Sequence, residues 1–472
     1  MFPNRNTVSS AQSAVIGAAR GVLERLGSQS GQPSKDTRIA VCARLESAVS
    51  RQLPASVRRP EYRLGPRRGH FFTFQSVLQH QKGNSMLNTH LTISAARAVR
   101  TTVAAAVLAA CGGVVAANAA TPFLPTEKTV STVNASGDLN PYGVNFVPAG
   151  FPSGGVIKTG DILVANFNNL SNTQGTGTTI TLVPASGAAP STFFQAPTCA
   201  SLATDCAAGL TAAQAVLTGG QVITGYLPVP DGTFHTAEAG GLLVTDKNGK
   251  LLFNFQGGGL VKGSTLSADL HGPWGMAVKD NGAKGAVLYI SNVLTGTVIR
   301  SVVSFTATAF NHATTVIAKN LSHENDANGF LLGPSGLAYD AVNDILYVAN
   351  SHNNTVGKIA HASTVTTAEP VVTIYNDATH LHGPLTLTFA PNGDLLVANS
   401  DGSNGDPAQP SEIVEFTTAG VFVKQFNVDA SEGGAFGLAV EALANGQSQL
   451  AYSNDNGGGG AVPTLTTIDL AN

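Results

Sequence analysis

From about residue 127 to its C-terminus the chain is a succession of short apolar runs, cut at close intervals by Gly, Asn, Asp and Pro. Runs of four to eight residues between turn signals predict β-strands. The clearest stretch reads PLTLTFAP at 384–391, GDLLVANS at 393–400, SEIVEFTTAG at 411–420 and VFVKQFNVD at 421–429. Asn392-Gly393 joins the first two, and this dipeptide supplies the positive φ angles of a tight hairpin turn. The triplets DNG at 280–282 and KNG at 247–249 play similar parts.

The runs repeat. GPWGMA at 272–277, GPSGLA at 333–338, GPLTLT at 383–388 and GAFGLA at 434–439 superimpose, and NPYGVN at 140–145 is an earlier copy. After each comes a second strand ending in a small residue plus Asn, at Asn166, Asn292, Asn350, Asn399 and Asn454. These positions step by 126, 58, 49 and 55 residues. The first step is about twice the others, so a unit is hidden inside it. The runs AAQAVLTG, QVITGYLPV, GLLVTD and KLLFNF between Ala212 and Phe255 supply it. Six units of four strands predict an all-β fold, a six-bladed β-propeller of four-stranded blades. The last unit ends one strand short after LTTIDL, while the run TEKTVSTV at 126–133 belongs to no unit. An N-terminal strand closing the last blade accounts for both, and closure removes exposed sheet edges.

The pattern of Pro-x-Gly, apolar strand, turn, and apolar strand ending in Ala-Asn resembles the NHL repeat. It is also similar to the propellers of virginiamycin B lyase and of the SMP-30/gluconolactonase group. The resemblance covers nearly the whole of residues 120–472 and implies the blade fold; these families share blades and not chemistry.

Composition agrees with an all-β chain. Only 12% of residues are charged and 6% aromatic, and there are 52 Gly. The net charge of −3 hides two unlike parts. Residues 1–85 hold 13 Lys/Arg against 4 Asp/Glu, whereas residues 120–472 hold 11 against 25. The acidic part repels nucleic acid, so no nucleic-acid partner is expected.

Met86 opens a segment with Arg97 and Arg100, an apolar run from Thr101 to about Ala117, and then small residues. That is the layout of a secretory signal peptide over residues 86–119. Residues 1–85 are then expected to be a non-native leader from a misassigned start. The other reading is a cytoplasmic arm followed by a membrane anchor, although the apolar run is short for a span. Ala117-Asn118-Ala119 fits ordinary release, while LAACG at 108–112 looks like a lipobox that would place a lipid anchor on Cys111. Either outcome puts the domain in the periplasm or outside the cell, with no transmembrane span in the mature chain. Cys199 and Cys206 are then the two remaining cysteines, and an oxidising compartment would let them form a disulfide.

Candidate chemistry concentrates where the loops leading into the innermost strands meet the ends of the second strands. His271 and His382 both precede Gly-Pro, in units three and five, and two imidazoles at equivalent places can bind a ligand or metal or act as acid and base. Trp274, the single Trp, can stack on a ligand ring. Ser335, Asn292, Asn350 and Asn399 complete the expected ligand-binding set. The Asn residues also suit a structural role, since a short amide at a strand end readily bonds neighbouring backbone.

The SMP-30 resemblance implies a divalent cation held by Glu and Asn near the axis. No Glu stands at a matching position, Glu432 being the nearest. Asp401 and Asp406, in a Gly/Asp-rich loop, with Glu412 beyond it, form an oxygen-rich set suited to calcium or magnesium. No Gly-x-Ser-x-Gly elbow, phosphate-binding Gly-Lys loop, His-Glu-x-x-His or CxxC occurs in residues 120–472. A monomeric module that binds a protein or small ligand is expected. The alternative is a metal-dependent lyase or lactonase with its site at the mouth of the central channel.

Overall fold

The computed structural model describes residues 127–197, 208–257, 269–306, 309–325, 331–399, 411–429, 434–443, 446–455 and 462–470. All fall within the unit Pro122–Asn472. The leader, the signal segment with Cys111, the pair Cys199 and Cys206, the loop carrying Asp401 and Asp406, and Glu432 lie outside the described residues.

The described chain is six four-stranded antiparallel sheets. Blade one is β2 (Leu139–Phe146), β3 (Ile162–Asn168), β4 (Thr179–Val183) and β5 (Ser191–Gln195). The hidden unit is blade two, with β6 (Leu210–Val216), β7 (Gln221–Tyr226), β8 (Gly241–Asp246) and β9 (Leu251–Gln256). Blade three is β10 (Pro273–Asp280), β11 (Ala286–Asn292), β12 (Thr297–Phe305) and β13 (Phe310–Ala318). A two-stranded hairpin, β14 (Glu324–Asn325) with β15 (Leu331–Leu332), precedes blade four. That blade holds β16 (Pro334–Asp340), β17 (Ile345–Asn350), β18 (Thr355–Ala360) and β19 (Val372–Tyr375). Blade five is β20 (Pro384–Phe389), β21 (Leu395–Asn399), β22 (Ser411–Phe416) and β23 (Phe422–Asp429). Blade six has three strands of its own, β24 (Ala435–Ala442), β25 (Ser448–Asn454) and β26 (Thr464–Leu470). Its fourth is β1 (Glu127–Ser131), which pairs antiparallel with β26 from Glu127↔Ile468 to Ser131↔Thr464. The expected closure by the N-terminal strand is therefore observed.

Every innermost strand breaks register at its start, and the break falls on the Pro-x-Gly motif where that motif is present. The shifts lie between Pro141/Gly143, Pro273/Gly275 and Pro334/Leu337, and at matching places in the other three blades. A bulge re-aims the strand toward the axis. The glycine lets the next blade come close: a Cβ on Gly275 would lie 2.1 Å from the Ser335 carbonyl oxygen.

Hydroxyl and amide groups of the first two strands of each blade then stitch it to the innermost strand of the next. Asn145 Nδ2 donates to Gln214 O at 3.1 Å, Thr211 Oγ1 to Pro273 O at 2.7 Å, and Ser291 Oγ to Ser335 O at 2.6 Å. Ser335 Oγ donates to Pro384 O at 2.6 Å, Thr386 Oγ1 to Phe436 O, and Ser453 Oγ to Pro141 O at 2.6 Å. The bonds run through all six blade interfaces. Between them the sheet faces bury interleaved apolar side chains, such as Leu288, Ile290 and Ile299 against Ile223 and Val244. No helix among the described residues is long and apolar enough to cross a membrane.

Candidate functional site

The residue between Pro and Gly in the repeat joins a shared buried cluster in four of the six blades. In blades one, three, five and six this position is Tyr142, Trp274, Leu385 and Phe436, or the equivalent place where the motif varies. These join Phe167, Phe234, Leu227, Val229, Val293 and Leu331 in one buried cluster. Tyr142 stacks on Phe436 with ring centroids 4.7 Å apart and meets Trp274 edge-on at 5.4 Å. Phe167 packs perpendicular to Trp274 at 5.3 Å. Aromatic pairs at these separations add to area burial. The cluster fills the end of the channel where the innermost strands begin. Trp274 is 2% exposed, and its Nε1 has no hydrogen-bond partner among the described residues.

Beyond that plug the innermost strands enclose an axial cavity of about 530 Å³. All six blades contribute to its wall. Tyr142 forms the deep end, and Met276, Leu337, Leu387, Leu438 and Val440 give an apolar girdle. Asn145, Gln214, Thr386 and Thr388 supply uncharged polar groups. The exposed residues Ala149 and Ala442 mark the open end, where the innermost strands finish. Glu441 is the one carboxyl side chain among the described residues of the lining, and burial pushes it above the ordinary value of 4.5.

The Asn residues that end the second strands have a common task in blades three and five. Asn292 Oδ1 accepts from His271 N at 2.9 Å while its Nδ2 donates to Asp269 O at 2.8 Å. Asn399 does the same with His382 N at 3.1 Å and His380 O at 2.9 Å. Each amide thus clamps the loop that leads into its innermost strand. In blade four the partners change: Asn350 Oδ1 accepts from His352 N, and Nδ2 donates to Ser322 O at 2.9 Å. Ser335 is wholly buried, and its hydroxyl is spent on the bond to Pro384 O.

His271 and His382 occupy equivalent places in blades three and five, partly exposed. His382 Nε2 lies 3.2 Å from Thr379 O. Burial raises the Asp269 carboxyl, and the nearby His271 partly offsets this. Glu412 is wholly buried on β22, where its Oε1 accepts from Asn399 Nδ2 at 2.6 Å. Among the described residues no three His, Cys, Asp or Glu side chains form a group able to hold a metal ion.

Two polar arrangements have no counterpart in the repeat reading. Ser322 Oγ lies 2.5 Å from His352 Nδ1, and His352 Nε2 lies 3.2 Å from Glu324 Oε2, at the hairpin before blade four. His380 Nδ1 contacts Asp377 Oδ2 at 2.5 Å, and its ring stacks on Phe422 at 3.8 Å. The hydrogen bond from His380 helps hold the Asp377 carboxyl below its ordinary value against the opposing effect of burial. Neither arrangement has a repeat signature, because each draws on residues outside the repeated strands. Glu441 was equally hidden, because an acidic residue late in an innermost strand has no motif.

No protein-family description and no curated protein sequence matches the chain. Solved structures of similar backbone include the following three. A luciferin-regenerating enzyme is 10% identical with a TM-score of 0.44, over 73% of this chain and 95% of that one. Regucalcin of Agrobacterium tumefaciens, a calcium-binding protein, is 12% identical with a TM-score of 0.42, over 72% and 94%. A gluconolactonase of Xanthomonas campestris is 11% identical with a TM-score of 0.41, over 74% and 98%. The chain is a six-bladed β-propeller. These likenesses go with its blades and strands and carry nothing about its chemistry.

Proposed function

We propose that this propeller is a binding module that takes a small ligand into its axial cavity and works outside the cytoplasm. The cavity carries the reading. Its volume of about 530 Å³ lies within the range of about 300–1,000 Å³ usual for small-molecule sites. It has an apolar girdle, a few polar groups and one carboxylate, the composition that gives a pocket both affinity and orientation. The plug of Tyr142, Trp274 and Phe436 closes one end, so a ligand enters from the end marked by Ala149 and Ala442.

Thermal unfolding of the purified protein against a panel of sugars, lactones, amines and alcohols tests this. At least one class is expected to raise Tm saturably; a ligand at a hundred times its Kd stabilises by about 2.7 kcal/mol. Thr388→Trp, which fills the cavity from β20, should abolish the shift. A shift that survives Thr388→Trp would move the ligand elsewhere. Turnover of a lactone only when a divalent cation is added would replace this reading with the metal-dependent enzyme.

The address rests on the charged, apolar and small-residue sequence of 86–119. Mass spectrometry of the mature protein should find Ala120 at the N-terminus. A lipid-modified Cys111 at the N-terminus would show anchoring, and peptides from residues 1–85 would refute processing.

A further inference from the structure

Resting on the cavity's role as a ligand site, we propose that it selects amphipathic amines. Glu441 binds the ammonium head, and the deeper apolar wall takes the body.

The cavity is polar and apolar at opposite depths. Tyr142 lies at the closed end, against the aromatic plug, and the middle is walled by Met276, Leu337 and Leu387. Glu441 stands one residue before the exposed Ala442 at the open end. Along β24, Leu438 and Val440 pack toward blade five with Leu396 and Ile413, while Ala439 packs toward blade one with Val144 and Phe146. Strand alternation puts Glu441 on the Ala439 side.

No hydrogen bond or ion pair satisfies the Glu441 carboxylate within the described chain, although burial disfavours its charge. A partly desolvated carboxylate without a partner gains from a charge-assisted hydrogen bond. Among the described residues no Lys, Arg or His lines the cavity to supply one. A primary ammonium has a full charge, three donors and no acceptor, so it matches a lone carboxylate better than a neutral hydroxyl does. Residues 120–472 carry 11 basic against 25 acidic side chains, a field that favours entry of cations.

The probes are 2-phenylethylamine and its near-isostere 2-phenylethanol, titrated calorimetrically into the full purified protein. The amine is expected to bind wild type at least about tenfold more tightly than the alcohol, the discrimination that one hydrogen bond to a charged group supplies. Glu441→Gln should bring the amine down to the alcohol's affinity and leave the alcohol unchanged; Thr388→Trp should weaken both. Circular dichroism melts of each variant confirm the fold. Equal binding of amine and alcohol to wild type, or an amine preference that persists in Glu441→Gln, overturns amine selectivity while leaving the cavity a ligand site. If neither probe binds wild type, the selectivity falls; if the wider panel also gives no shift, the cavity reading falls with it.

Discussion

At the scale of single residues, the repeat motif is a solution to crowding at the axis. Six innermost strands must converge, and side chains on all of them would collide. Gly275 shows the constraint most directly, because the space for a Cβ is already taken by the Ser335 backbone. A carbonyl in a hydrogen-bonded strand cannot step aside as a flexible side chain can. Gly275→Ala is therefore expected to destabilise the protein by about 3 kcal/mol, at the upper end of usual overpacking costs. Urea unfolding would read this as a lower midpoint with an unchanged slope. Blade five departs from the motif with Thr386 in the glycine position, and its hydroxyl reaches the Phe436 carbonyl instead. Ser335 illustrates the same economy. It was a candidate binding residue by position, and it sits fully buried with its hydroxyl on Pro384 O.

At the scale of elements, the seam between β1 and β26 joins the first described strand to the last. Five residue pairs join them, with Thr129 Oγ1 and Thr466 Oγ1 also 2.9 Å apart. Without β1, the outer edge of β26 would present unpaired N–H and C=O groups, the template for edge-to-edge association. A chain beginning after Ser131 is expected to form oligomers or aggregates by size-exclusion chromatography, while the intact chain does not associate through that edge. Supplying the TEKTVSTV segment as a peptide should restore the unassociated form. Recovery without the peptide would show that the strand is dispensable for closure. The β14–β15 hairpin belongs to no blade, and nothing in the repeat spacing announces it. It positions Ser322 and Glu324 beside His352, a contact made across about thirty residues of intervening chain.

At the scale of the whole molecule, the channel is divided into a plug and a cavity. Both come from the same innermost strands. Near their starts, large side chains at the Tyr142, Trp274 and Phe436 positions meet on the axis. Further along, smaller or side-facing residues such as Ala439, Gly336 and Thr388 leave the axis open. No single blade contains the cavity, so its occupancy reports on the closed ring. A ligand there would stabilise all six interfaces at once, which is why global unfolding is a suitable measure of binding.

How much of this the sequence held depends on whether a property repeats. Blade number, strand order and closure were legible because each unit meets the same backbone demands: a bulge, a close approach and a clamped loop. Those demands recur as Pro-x-Gly and strand-end Asn at regular spacing, and even the weak second unit was found from a doubled interval. The loop clamp was within reach too, since a short amide at a strand end suits backbone bonding, and Asn292 and Asn399 make those bonds.

The axial site was different. Which residue after Pro fills the channel, and which carboxylate stands in it without a partner, depends on six strands separated by hundreds of residues. Glu441 carries no local signal, because the matching places in blades one, three and four hold Val147, Lys279 and Asp340. The ring follows from local rules that recur six times along the chain. What lies at its centre follows from the folded arrangement, because the axis is where side chains from every blade first come within reach of one another.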